Sequence, residues 1–256
     1  MPNRLSAACG AAALCVVSVL VHAQAPAGSL PRSANGKPDL SGIWQVMSSA
    51  NLNVLGGQAQ LGMPASQSVV EGNEIPYQPW AAAKQKENFA KRQTADPESQ
   101  CDLPGVPRIM YTPLPFQILQ VPSKVVMLFE YAHAIRHIYT NGNPHPPGHI
   151  DWWLGDSRGR WDGDTFVIDS VDFNDETWFD RAGNFHSDEL HVVERFTMTG
   201  PDHIAYEATI DDPKVFTRPW TMRMPIYRRK EANAQLLEYE CYAFDLEKYY
   251  PYPGLW

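Results

Sequence analysis

The sequence predicts a mainly β fold: an antiparallel meander that closes into a barrel, with a Pro-rich N-terminal arm and one short helix. Three observations carry that expectation. From about residue 116 onward, apolar and polar residues alternate in short runs, the period-2 pattern of strands with one buried face. Turn signals punctuate those runs in chain order, at Asn141-Gly142, Asp162-Gly163-Asp164 and Gly200-Pro201-Asp202. Only residues 81–92 (AAAKQKENFAKR) read as a good helix, Ala-rich and charged over most of its surface.

Taken in order, the chain opens on a positively charged start and a small-residue and apolar run at 7–21, the length of a signal h-region. Val21-His22-Ala23 then places small residues at the −3 and −1 positions, so residues 1–23 are expected to be a signal peptide cleaved after Ala23. The run is too short for a membrane-spanning helix, and Gln24 stands where a lipoprotein would need Cys. The mature protein is therefore expected to be periplasmic or secreted. Residues 24–38, rich in Pro, Gly, Ser and Ala, read as a flexible linker, and 39–256 as a single β-barrel-like domain that includes an arm and belt at 47–115.

Formal net charge is −8, and removal of the signal takes away one Arg and no acid. An acidic chain does not attract phosphate backbones or anionic lipid, so no nucleic acid is expected as a partner. Cys9 and Cys15 leave with the signal. Cys101 and Cys241 remain as an even pair in an oxidising compartment, which predicts a disulfide. Its long loop would contribute roughly 3–5 kcal/mol in the chain-entropy model.

The first strand is expected at 39–46, carrying Gly42-x-Trp44. Residues 47–74 dissolve into Gly, Ser, Gln and Asn, an ordered excursion or a mobile lid, and the Pro-crowded 96–115 cannot be a central strand and reads as a belt pinned by Cys101. Strands follow at 116–120 and 125–131, at 134–140, at 158–161 and 165–171, at 190–198 and 203–210, and at 220–227 and 235–243. That makes about eight to ten strands, a size whose interior can hold one small ligand, and closure removes the exposed edges. The aromatic tail at 249–256 is read as capping a barrel mouth or contacting a protein. Stable membrane insertion is not expected, because the strands are short, Pro-broken and charged on both faces.

Chemistry-bearing residues gather in two stretches. In 131–139 (YAHAIRHIY), alternation sets His133, His137 and Tyr139 on one face and Arg136 on the other, so either the imidazoles or the guanidinium line the interior. An inward Arg136 would need a carboxylate, from Glu130 or Glu194. In 151–196, Asp180, His186 and His191 provide groups that titrate or pair near neutrality. His186-Ser187-Asp188 also suits simple loop capping. The candidate catalytic set is thus His133, Arg136, Asp180, His186, His191 and Glu194, and the candidate ligand-binding set is Trp152, Trp153, His137 and Tyr139. His145, His149, His186 and His191, completed by Asp151, Asp180 or Glu194, form an alternative metal set. Their spacing is not diagnostic, and no metal or cofactor is assigned. His191 and Glu194, three apart on a strand, should face opposite ways. No phosphate-cradling Gly loop, dinucleotide fingerprint or nucleophile elbow is present.

The motifs Cys101-Asp-Leu-Pro-Gly-Val-Pro-Arg108, Gly159-Arg-Trp-Asp-Gly-Asp-Thr-Phe-Val-Ile-Asp169, Phe173-Asn-Asp-Glu-Thr-Trp178 and His186-Ser-Asp-Glu-Leu-His-Val-Val-Glu-Arg-Phe196 resemble those of a widespread group of exported bacterial proteins without an established activity. The resemblance covers nearly all of the mature chain and brings no catalytic residues with it. Gly42-x-Trp44 and the strand count are also similar to lipocalin-type barrels, in which such a Trp plugs one end. The functional expectation is an exported protein that binds a small, partly apolar or aromatic molecule in a barrel cavity, with acid–base chemistry available to it. Alternatives are a metal-assisted hydrolase or lyase and an interaction module of the cell envelope.

Overall fold

Nine strands close on themselves in chain order. They are β1 (Gly42–Val46), β2 (Phe116–Val121), β3 (Lys124–Phe129), β4 (Ile135–Tyr139), β5 (Asp156–Asp162), β6 (Thr165–Val171), β7 (His191–Gly200), β8 (His203–Asp211) and β9 (Trp220–Arg228). Among the described residues one α-helix, α1 (Pro79–Ala95), lies outside the wall. The computed structural model describes residues 30–58, 65–239 and 241. The expected signal peptide, part of the expected linker and the aromatic tail lie outside the described residues. So does most of the second half of the expected 235–243 strand.

The strands obey the alternation that predicted them. β7 buries Val192, Glu194, Phe196 and Met198, and β8 buries Ile204, Tyr206, Ala208 and Ile210. The hairpins expected at 116–131, 158–171 and 190–210 form in register, for example Asp162 opposite Thr165. The barrel is lipocalin-like, and Trp44 closes its short-turn end. Its indole N–H donates to the Leu40 carbonyl at 2.8 Å, and the Arg228 guanidinium lies 4.1 Å from its ring centre. Gly42 makes this possible, since a β-carbon there would sit 2.2 Å from Arg228 Nη1.

Two expectations need correction. The meander is not wholly antiparallel, because β4 and β5 pair in parallel, through Ile138 with Ser157 and Tyr139 with Arg158. Asn141-Gly142 starts a turn, but Pro144, Pro146 and Pro147 follow and cannot donate ladder hydrogen bonds. The chain instead crosses back along the barrel before β5 begins. The second correction is the last hairpin. β9 pairs with β8 and β1, with Trp44 opposite Arg228, so β1 occupies the edge assigned to 235–243. Residues 235–238 form no strand, and Tyr239 makes a single bridge to Tyr131.

Apart from the 140–155 crossover, the long connections between strands sit at the other end. The 47–115 segment, the 130–134 turn, and the 172–190 and 212–219 loops all leave the barrel there. The described parts of 47–74 are ordered against the wall: Val54 is sealed, and Val70 bridges Met222 of β9. The belt is held by the Cys101–Cys241 disulfide and by a buried ion cluster. Within that cluster the Arg108 guanidinium donates to both Asp96 oxygens at 2.7 and 3.0 Å, to Glu98 at 2.7 Å and to Asn51 at 2.7 Å. Helix α1 docks on the 172–190 loop through Gln85 and Asn88, which donate to the carbonyls of Ala182 and Gly183. Of the expected linker, residues 32–38 make a small bridge, and Arg32 pairs with Asp164 at 2.7 Å.

Candidate functional site

The cap at the long-loop end assembles from segments far apart in sequence. Trp178 bridges Phe185 in a tight excursion that turns at Gly183. Asp180 sits inside it and accepts hydrogen bonds from Val54 N at 2.8 Å, Asn184 N at 3.2 Å and Asn184 Nδ2 at 2.6 Å. Tyr77 donates its hydroxyl to Asn184 Oδ1 at 2.9 Å, and Tyr111 donates to the Phe179 carbonyl at 2.8 Å. The arm, the helix leader, the belt and the loop thus meet around one carboxyl group. Asp212 fixes the far side by accepting from Ser187 N and Oγ at 2.6 and 2.9 Å.

His186 is buried in the same cap. Its Nδ1 lies 2.9 Å from the Ser187 carbonyl and its Nε2 lies 2.6 Å from Thr177 Oγ1. A carbonyl only accepts, so Nδ1 carries a proton. Burial pushes the ring's pKa below the usual histidine value and so favours the neutral form, in which Nε2 accepts from the Thr177 hydroxyl. Burial acts on Asp180 in the opposite sense and pushes it up to about 6, despite the hydrogen bonds it accepts. Phe179, which precedes Asp180 in the chain, has its ring 5.3 Å from the His186 ring. Both groups are buried, and burial displaces each toward its neutral form.

Aromatic rings fill the space between this cap and the barrel. Trp220, the first residue of β9, packs edge-to-face on Phe179 at 5.4 Å and on Phe216 at 5.5 Å. Tyr77 continues the series to Phe216 at 5.2 Å. Trp220 is 3% exposed, and its Nε1 is the buried side-chain nitrogen without a hydrogen-bond partner among the described residues.

Below the rings, Arg136 points into the barrel at 2% exposure, opposite to His133 and His137, which settles the choice of face. Its carboxylate is Glu194, not Glu130, whose Oε2 accepts instead from Leu237 N at 3.0 Å. Arg136 also donates to Ser157 and Ser170, and Tyr206 donates to Glu194 at 2.9 Å. In the apolar core, Trp44, Phe116, Met127, Phe166, Phe196 and Met222 have no exposed surface.

The remaining candidates lie on the outer wall. His191 faces out while Glu194 faces in, as their spacing required. His191 Nε2 and His145 Nε2 approach the same oxygen, Asp169 Oδ1, at 3.1 and 3.2 Å, and His145 Nδ1 reaches Asp156 Oδ1 at 2.6 Å. The bond to Asp169 raises the His191 pKa and lowers that of Asp169. His137 and Tyr139 stack on each other outside β4, with Arg158 over Tyr139 at 5.0 Å. His133 lies in the 130–134 turn with a left-handed backbone. Trp152 is 49% exposed beside Phe173, and Trp153 is half-buried.

The structure therefore buries Asp180 and His186 in the 172–190 loop, each with its own partners, and buries Arg136 and Glu194 as a pair inside the barrel. His133, His137, Tyr139, His191, Trp152 and Trp153 stay outside the barrel. His145 and His191 share the outer wall, His149 lies by Asp151 and Asp172, and His186 is in the cap. Among the described residues no group of three or more His, Cys, Asp and Glu side chains is placed to hold a metal ion. Sequence reasoning missed Thr177, Tyr77, Tyr111 and the donor role of Trp220. An available signal was the density of rings in 173–185 and 216–220. No family model, curated protein or solved structure matches the chain.

Proposed function

We propose that this chain is an exported protein, of the bacterial group its motifs resemble, that binds a small, partly apolar or aromatic molecule at the capped end of its barrel. The unused indole N–H of Trp220, buried among Phe179 and Phe216, is the observation that carries the reading. A buried donor without an acceptor is costly and calls for an explanation, and a ligand is one. The sealed interior below favours the cap over the barrel's middle as the binding position. Asp180 and His186 supply acid–base capacity there, each within the ring cluster or next to it. The Cys101–Cys241 disulfide is in keeping with an oxidising compartment.

Titration with N-phenyl-1-naphthylamine, an uncharged dye that brightens in apolar sites, tests the reading. Expected is a saturable, one-to-one increase in emission that weakens several-fold in Trp220→Leu. Emission that never saturates, or is identical in the variant, would falsify it.

A further inference from the structure

The same cap limits what the ligand can be, on the assumption that the cap is the binding site. Three observations bear on its chemistry. The Trp220 donor is buried without a hydrogen-bond acceptor, and its ring packs edge-to-face with two phenyl rings, Phe179 and Phe216, which carry no polar atom. The groups nearest the rings include an imidazole that already spends both nitrogens, on Thr177 and Ser187, and a carboxyl group that already accepts three hydrogen bonds. The imidazole has no free nitrogen, and burial works against the charged form of each group.

The third observation is a route. Trp80, on the first turn of α1, is 55% exposed and packs edge-to-face on Phe185 at 6.0 Å. Phe185 stacks on Tyr77 at 6.1 Å, Tyr77 on Phe216 at 5.2 Å, and Phe216 on Trp220 at 5.5 Å. Rings thus run without interruption from solvent to the buried donor. Trp220, Phe179 and Phe216 are all buried, so a ligand reaches the donor only by displacing rings of this series.

We infer that the ligand is an uncharged, flat aromatic molecule bearing one hydrogen-bond acceptor, such as a carbonyl oxygen, which takes the Trp220 indole N–H. The rings supply stacking and edge-to-face contact, and the acceptor supplies orientation and selectivity. Selectivity is expected to be large, because an analogue without the acceptor leaves the donor as it is now.

Indole-labelled full-length protein, followed by the ¹H–¹⁵N resonance of the Trp220 side chain, tests this with three probes of similar ring size. Acetophenone carries a neutral acceptor, ethylbenzene lacks one, and benzoate carries a charge. Expected is a downfield shift with acetophenone, binding about tenfold or more tighter than ethylbenzene, and no shift at Trp220 with benzoate. Equal affinity for acetophenone and ethylbenzene overturns the acceptor assignment while leaving an apolar binding site. Benzoate binding at Trp220 as tightly as acetophenone overturns the assignment of an uncharged ligand. Failure of all three to perturb Trp220 overturns the binding site itself. Trp220→Phe identifies the resonance by its loss. It should retain ethylbenzene binding and lose the preference for acetophenone, and the other indole signals report that it is folded.

Discussion

A guanidinium sealed inside a β-barrel survives only when every donor has a partner, and Arg136 shows how that is arranged. Its hydrogen bonds reach Ser157 on β5, Ser170 on β6 and Glu194 on β7. The first of these crosses the seam where β4 and β5 meet through only two residue pairs. The network thus acts as a transverse tie inside the wall, and Arg158 over Tyr139 repeats the tie outside. Removing one partner leaves an uncompensated buried charge, so Arg136→Met should cost about 3–5 kcal/mol in urea unfolding. Replacing both, as Arg136→Met with Glu194→Leu, should recover most of that loss. If the double variant is as unstable as the sum of the singles, the pair is not what the tie depends on.

At the scale of elements, the cap depends on close approach between helix and loop. Gly183 has φ of 82°, and a β-carbon on it would lie 2.7 Å from Phe89 N of α1. Gly183→Ala should therefore unseat the helix while the strands persist. Amide exchange would show α1 losing protection by an order of magnitude or more, with β6–β8 unchanged. Loss of protection throughout the barrel would show that cap and barrel are one cooperative unit. The same elements mark what could be read beforehand. Alternation identifies β7 and β8 and their turn because each of these strands has one face buried and one more open to solvent. It also restricts 133–139 to two faces without choosing between them, since His, Arg and Tyr all suit either. The parallel seam was illegible, because a Pro-rich return path records where pairing stops and not where it resumes. Asp180 and His186 were legible by residue type. Their partners Val54, Tyr77 and Thr177 were not, because no local pattern records which distant segment will cover a carboxyl group.

Over the whole molecule, the two cap groups give stability opposite dependences on pH. Asp180 in the folded chain titrates near 6, above its ordinary 3.8, so the unfolded chain loses this proton first as pH rises. The folded state then binds more protons between about pH 4 and 6, and stability falls across that window by roughly 2 kcal/mol. His186 works the other way. Its folded pKa lies below 6.5, so its contribution is complete above 6.5 and is lost as pH falls and the unfolded chain takes up a proton. The parent curve sums both effects and can look flat, which makes the parent alone a poor test. The difference between the parent and Asp180→Asn, from urea unfolding at intervals from pH 4 to 8, isolates one of them. Asn keeps an acceptor for Val54 N but does not titrate, so the stability of the parent relative to the variant should fall as pH rises from 4 to 6, then level off. A difference curve flat across that range would mean that Asp180 is not held near neutrality by the fold. Its role as a proton-exchanging group in the cap would then have to be given up, while the Trp220 donor would remain to be explained.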